Sequence, residues 1–295
     1  MTGEADPSTG QSVGPVVVVG ALGMLGRAWR ELLQTRGIEH TGLDLPTLDI
    51  TDPDSIAGHI GTGVRTIVNC VAFTDVDGAE DREALAHKLN AQAVGHLADR
   101  CKKIGATMIH YSTDYVFDGQ ADAPYPTDHP RSPVNAYGRT KAEGEKLIEA
   151  SGCDYLLIRT SWLYAPWARN FVNGMIRLTR ERDELQVVDD QRGRPTSAQH
   201  LAASSLALLK KMERGPFHVT DGGECSWYGF ACEIRRLAGN RCDIKPCTSE
   251  QFKRPAPRPA YSVLDISKAE SVLGPMPDWK HNLAAVIRQM EPQSV

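Results

Sequence analysis

Two side chains in the stretch HPRSPVNAYGRTKAEGEKLI (129–148) are spaced to act together: Tyr137 and Lys141, in the pattern Tyr-x-x-x-Lys. Residues four apart on a helix lie one above the other, about 6 Å apart along the axis. An ammonium beside a phenol favours the phenolate and lowers its pKa from about 10, at ~1.4 kcal/mol for each unit. A tyrosine so placed serves as a general acid toward a carbonyl oxygen, and the lysine also holds a nicotinamide ribose. Charge developing on that oxygen calls for a second donor. HYSTDYVFDG (110–119) offers Ser112 and Thr113 at the carboxyl end of a predicted strand. The ordinary alternative is an aromatic and a cation that share a helix face, with a Ser-Thr pair at a strand end by chance.

A glycine turn supplies the partner such a pair needs. In VVVVGALGMLGRAWRELL, Gly20, Gly23 and Gly26 follow a β-branched run and open a helix through Met24 and Leu25. A turn of this kind lets backbone approach a pyrophosphate, which the free N–H groups and dipole of the helix start then stabilise. The spacing is G-x-x-G-x-x-G, looser than the usual fingerprint and a weak signal by itself, since such glycines also suit plain packing. Asp44, eighteen residues past Gly26, stands where a carboxylate would bind a ribose 2'-OH. A carboxylate repels a 2'-phosphate, and no Arg or Lys lies between Asp44 and Asp54, so NADH is favoured and NADPH is the alternative. Asp44 as a simple turn starter is the competing reading. Asp49, followed by Ile50, is a second candidate near the adenine.

These groups need a scaffold that brings strand ends together. Short apolar runs at 16–20, 40–45, 64–72, 106–113 and 154–164 alternate with helical patterns at 24–36, 83–105 and from Ala136 onward. That alternation predicts an α/β fold with a doubly wound parallel sheet of Rossmann type, covered on both faces. The second half is less regular. Helices are expected at 170–182, 198–212 and 226–239, a strand at 216–221 and two helical segments at the C-terminus. KRPAPRPAYSVLD (253–265) holds too much proline for a helix interior. With no repeat and no long linker, a smaller, interleaved substrate-binding domain is expected. The dinucleotide domain would take 15–160 with about 186–220, and the substrate domain about 161–185 with 221–295.

The 295 residues are 41% hydrophobic and 24% charged, and a formal net charge of -4 gives no reason to expect nucleic acid or an anionic membrane surface as partner. Seven scattered cysteines without a C-x-x-C pair argue against a disulfide framework and a zinc site, and favour a reducing compartment. The nine histidines show no metal-ligand spacing, so no metal is expected. Residues 1–14 read as a disordered lead-in without the features of a signal peptide, and no apolar run approaches the ~18 residues of a spanning helix; a cytoplasmic protein is expected.

Several further segments carry a resemblance: NCVAFTDVDGAE (69–80), PVNAYGRTKAEGE (133–145), IRTSWLYA (158–165), VVDDQRGRPT (187–196), CSWYGFACEI (225–234) and RPAYSVLD (258–265). With the motifs above, the chain resembles an extended short-chain dehydrogenase/reductase, and within that group the dTDP-4-dehydrorhamnose reductase family. The resemblance implies reduction of a dTDP-4-keto-6-deoxyhexose by NADH or NADPH, in a monomer or homodimer. It implies that Thr113 orients the keto oxygen, Tyr137 donates the proton and Lys141 binds the ribose. Cys70, Val71 and Ala72 would line the cofactor. Thr74, Asp114, Val116, Phe117 and Trp162 would approach the substrate, and Arg258 would face its phosphates. The chain departs from the family pattern in GALGMLG, in CVAF and at His200 of AQHLA, which bears on the exact sugar rather than the catalytic groups. Two alternatives stay open. One is a 4-ketoreductase for another dTDP-deoxysugar. The other is a non-catalytic nucleotide-binding module like the regulatory subunit of methionine adenosyltransferase.

Overall fold

The computed structural model describes residues 13–290. Most of the expected lead-in, residues 1–12, lies outside the described residues. Six parallel strands build the central sheet: β1 (Val16–Val19), β2 (His40–Leu43), β3 (Thr66–Asn69), β4 (Thr107–Thr113), β5 (Asp154–Thr160) and β6 (Gly215–His218). Their order is β2-β1-β3-β4-β5-β6. The four valines of β1 explain the run in the sequence. Val16 and Val18 join one buried cluster with Trp29 and Ile158, while Val17 and Val19 join another with Ile67 and Met108. A strand with a helix layer on each face has no polar side to show. The chain leaves β1 toward β2 and returns on the other side to β3, with Val16 opposite both His40 and Thr66. That reversal opens a crevice between the carboxyl ends of β1 and β3, where open α/β sheets bind ligands.

The helix Met24–Thr35 follows the glycine turn and packs against Ala198–Lys210. The helix bearing Tyr137 and Lys141, Ala136–Ser151, starts where the Asn135 side chain accepts from the N–H of Gly138. The single helix expected over 83–105 is interrupted. Glu83–His87 leads into a π-turn at Lys88–Gln92 before Ala93–Ile104 resumes. The buried Asn90 on that turn accepts from Phe73 N and donates to Phe73 O and Thr140 Oγ1. These bonds hold the loop after β3 against the Tyr137 helix, in the way π-bulges often serve a site.

The run 154–164 is also interrupted. The strand stops at Thr160, and Trp162 takes a left-handed conformation with φ 47°, a genuine outlier for a bulky residue. Leu163–Tyr164 then pairs with Thr196–Ser197. A third apolar cluster gathers Val172, Val187, Phe230, Ile244, Trp279 and Leu283 around a parallel pair, Glu184–Val188 with Asp243–Cys247, that the sequence did not announce. Glu184–Val188 straddles the expected domain limit near 185. Among the described residues, no helix is long and apolar enough to cross a membrane.

Candidate active site

A cleft of about 530 Å³ lies over the carboxyl ends of β3 and β4 and the glycine turn. Gly23, Met24, Leu25, Cys70, Val71, Ala72, Thr74, Thr113, Asp114, Tyr137, Lys141 and Trp162 all line it, drawn from segments far apart in the chain. Gly20, Gly26, Asp44, Asp49, Ile50, Val116, Phe117 and Arg258 do not.

The glycine turn has the geometry that a pyrophosphate requires. Gly20 sits at φ 75°, and a Cβ on Gly26 would lie 2.0 Å from the Gly20 carbonyl oxygen, so neither position admits a side chain. Gly23 caps the helix without a side-chain hydrogen bond, and the first turn holds no acidic residue. The helix start therefore keeps its N–H groups and positive dipole end for an anion, and the turn fits a dinucleotide. Behind it, the Asp44 carboxylate accepts from Leu22 N at 3.0 Å and Leu45 N at 2.9 Å, tying the turn to the end of β2. No Arg or Lys follows Asp44 as far as Asp54, but the helix supplies one: Arg30 packs over β2, where a Cβ on Gly42 would meet its Cδ at 3.0 Å. Asp49 stands apart from the cleft. The N–H and hydroxyl of Thr51 hold its carboxyl below the usual range. Ile50 is buried in the core beneath.

The charges around Tyr137 differ from the sequence expectation. Burial pushes the phenol above its ordinary value, the Asp114 charge adds to this, and a hydrogen bond with Thr113 works against both. The expected lowering by Lys141 is overturned because the lysine is engaged elsewhere. Its amine donates to the Tyr111 carbonyl at 2.6 Å and lies 3.1 Å from His110 Nε2, both on β4. Burial lowers Lys141 to about 8, with Glu145 acting the other way. Desolvation thus dominates at both members of the pair. A phenol with a raised pKa stays protonated across neutral pH, the state a proton donor needs. The Thr113 hydroxyl donates to Asp114 Oδ1 at 2.9 Å and accepts from Tyr115 N. Burial raises Asp114 to about 6, with Ser262 and Thr113 opposing, and its Oδ2 makes no hydrogen bond.

A glycine turn, a half-buried tyrosine, a threonine and a buried lysine share this cleft, and the chain as a whole matches a known family. The profile of the RmlD substrate binding domain covers residues 14–291. The chain belongs to the dTDP-4-dehydrorhamnose reductase family. The dTDP-4-dehydrorhamnose reductase of Streptomyces griseus is 41% identical over 273 residues, 90% of each chain. A Streptomyces antibioticus protein named as a probable dTDP-4,6-dihydroxy-2-methyloxan-3-one 4-ketoreductase is 38% identical, across 90% of this chain and 92% of its own. The crystal structure of the Bacillus anthracis dTDP-4-dehydrorhamnose reductase in complex with NADP superposes with a TM-score of 0.89 at 34% identity, over 93% of this chain and 98% of that one.

Three residues that the family resemblance assigned to substrate stand elsewhere. Val116 and Phe117 are fully buried, and Phe117 stacks on Tyr125 with ring centroids 4.6 Å apart. Their side chains fill a core cluster and do not face the cleft. Arg258 is paired with Asp77 at 3.1 Å and donates to Ala256 O, while Arg254 holds the same carboxylate. A carboxylate already meets the donors that were expected to meet phosphates. Trp162 does face the cleft. Its indole stacks on Trp227 at 3.7 Å, and a Cβ at Gly193 would reach within 2.6 Å of that ring. Residues that the sequence reading missed complete the walls: Asn69, Tyr111, Arg169, Asn170, Phe171, Trp227 and Phe230. Asn69, at the end of β3, and Trp227, within CSWYGF, were within reach of the same strand-end and motif arguments.

Below the cleft, Arg159 clasps Glu145 through bonds of 2.9 and 2.7 Å, and Arg131 adds one of 2.5 Å. Burial alone would raise the Glu145 pKa, but Arg159 and Arg131 hold it below the carboxylate range. This buried pair fixes the Tyr137 helix to β5 one turn past Lys141.

Proposed function

We propose that the protein reduces the 4-keto group of dTDP-4-dehydro-6-deoxy-L-mannose to dTDP-L-rhamnose. The cofactor is NADH or NADPH, and when bound it supplies the hydride. The observation that carries this reading is a half-buried Tyr137, its phenol pushed up by desolvation, in the same cleft as Thr113, Lys141 and an uncapped glycine turn. Gly20, Gly23 and Gly26 keep the turn open for the pyrophosphate, and Cys70, Val71 and Ala72 form the wall beside it. Thr113 orients the keto oxygen, and Tyr137 gives that oxygen its proton as charge develops there. Lys141 holds the ribose, and Trp162 with Trp227 forms an apolar wall against the sugar. In this reading the dinucleotide unit is 15–160 with about 186–220, and the rest carries the nucleotide sugar.

The Streptomyces antibioticus relative supports a second reading, a 4-ketoreductase for a different dTDP-deoxysugar, since residues in the walls set sugar choice independently of the catalytic trio. One assay separates the readings. Purified protein is given dTDP-4-keto-6-deoxyhexose with its epimerase, and NADH or NADPH, while loss of reduced nicotinamide and the sugar product are followed. Formation of dTDP-L-rhamnose is expected. Turnover of another 4-keto sugar in its place would establish the second reading. Cofactor binding without any turnover would refute both and leave a nucleotide-binding module.

A further inference from the structure

Lys141, His110 and Asn69 are each about 1% exposed and form a line of hydrogen bonds along the wall of the cleft. The Val71 N–H lies 3.0 Å from Asn69 Oδ1. An N–H can only donate, so the Asn69 oxygen must face it and the Asn69 NH2 must face the other way. That NH2 lies 3.1 Å from His110 Nδ1 and is itself a donor, so Nδ1 is the acceptor. A neutral imidazole with Nδ1 accepting carries its proton on Nε2. The Nε2–H then points at Lys141 Nζ, 3.1 Å away. Only an uncharged amine has the lone pair to receive it, and that amine still donates to the Tyr111 carbonyl.

We propose that His110, oriented by Asn69, is a positioning residue that favours the uncharged state of the Lys141 amine and links proton uptake there to the backbone at Val71. The catalytic consequence rests on the reductase reading, whereas the hydrogen-bond assignment does not. When Lys141 takes a proton from the cleft, Nζ loses its lone pair, and Nε2–H meets an ammonium donor to donor. Relief requires the imidazole proton to move to Nδ1, the Asn69 amide to turn over, and the Val71 N–H to lose its acceptor. Val71 lines the cleft, so proton uptake at Lys141 is felt where the cofactor is expected to lie.

The surroundings agree. Burial pushes His110 well below its ordinary pKa, and a proton on Lys141 adds to this, so the ring stays a neutral imidazole whichever state the amine holds. Glu145, on the same helix, favours the ammonium but is already clasped by Arg159 and Arg131. Tyr137, one turn back, is a neutral phenol, and on neighbouring helices Glu80 caps Ala136 N while Glu83 pairs with Arg139. Glu145 therefore acts against the neutral amine, but burial outweighs it, and Glu80 and Glu83 are engaged elsewhere.

Two measurements on the full chain decide this. Ring 15N–1H spectra of His110 should show protonation at Nε2 at alkaline pH and a change as pH falls through about 8. An Nδ1-protonated ring or an imidazolium across that range would overturn the proposal. NADH and NADPH affinity should then be titrated against pH by nicotinamide fluorescence in the wild type and in His110→Gln. Glutamine can turn its carbonyl oxygen toward the ammonium, so the inflection should move up by about one unit or more. An unmoved inflection in a folded variant means that His110 merely fills space, and it overturns the proposal. If His110→Gln fails to fold, the ring spectra of the wild type still decide. Absence of sugar turnover would refute the reductase reading and leave both readouts interpretable.

Discussion

Replacing Asp114 with asparagine should stabilise the protein while impairing its chemistry. The carboxyl is buried, its Oδ2 has no hydrogen-bond partner, and its pKa rises from 3.8 to about 6. A raised pKa means that the folded state binds the proton more tightly than the unfolded one. The stabilising effect is therefore complete below the unfolded pKa and is lost as pH rises through the folded one. At roughly two units and ~1.4 kcal/mol each, ionisation costs the native state about 3 kcal/mol above pH 7. Asparagine keeps an oxygen for the Thr113 hydroxyl, carries no charge to desolvate, and finds Ser262 beside its amide. Thermal melts at pH 8 should rise by several degrees over wild type, and the gain should shrink below pH 6 and vanish near pH 4. The same change removes a charge that raises the Tyr137 pKa, so any alkaline limb of kcat due to that phenol should move to lower pH. A variant that melts at or below the wild type at pH 8, or a gain equal at pH 4 and pH 8, would refute the description of Asp114 as a buried carboxylate whose hydrogen bonds do not offset its desolvation.

Tyr137→Phe should lower kcat by about 10²–10⁴-fold with little change in cofactor affinity, measured by steady-state rates and fluorescence titration; retained turnover would remove Tyr137 as the proton donor. Glu145→Gln leaves Arg159 buried without its carboxylate, and denaturant unfolding should show a loss of about 3–5 kcal/mol. Because the Glu145 pKa is lowered in the fold, the native pair stabilises above the unfolded carboxylate pKa, and its contribution disappears as pH falls through the folded one. Asp44→Ala should weaken NADH more than NADPH if the carboxylate meets a ribose hydroxyl. Equal losses for both would identify Asp44 as an anchor for the glycine turn through Leu22 N alone.

The sheet and the family were legible in the chain because their causes are local. A valine run that must be covered on both faces, glycines where no Cβ fits, and Tyr-x-x-x-Lys on a helix opened by Asn135 are each set by residues within a few positions of one another. The ionisation of the site was not legible. Burial at Tyr137 outweighs anything that Lys141 offers, and Lys141 itself turns to β4, thirty residues earlier in the chain. Arg258 was expected at phosphates, but the Arg254–Arg258 segment folds across 177 residues onto Asp77. Trp162 breaks its strand to stack on Trp227, and Asn90 bends its helix into a π-turn to reach Phe73 and Thr140. Periodicity and turn chemistry are properties of short segments, so the sequence by itself determined the strands of the central sheet, the glycine turn and the Tyr-x-x-x-Lys pattern. Desolvation and ion pairing depend on which distant segments meet, and that was decided only when the sheet brought them together.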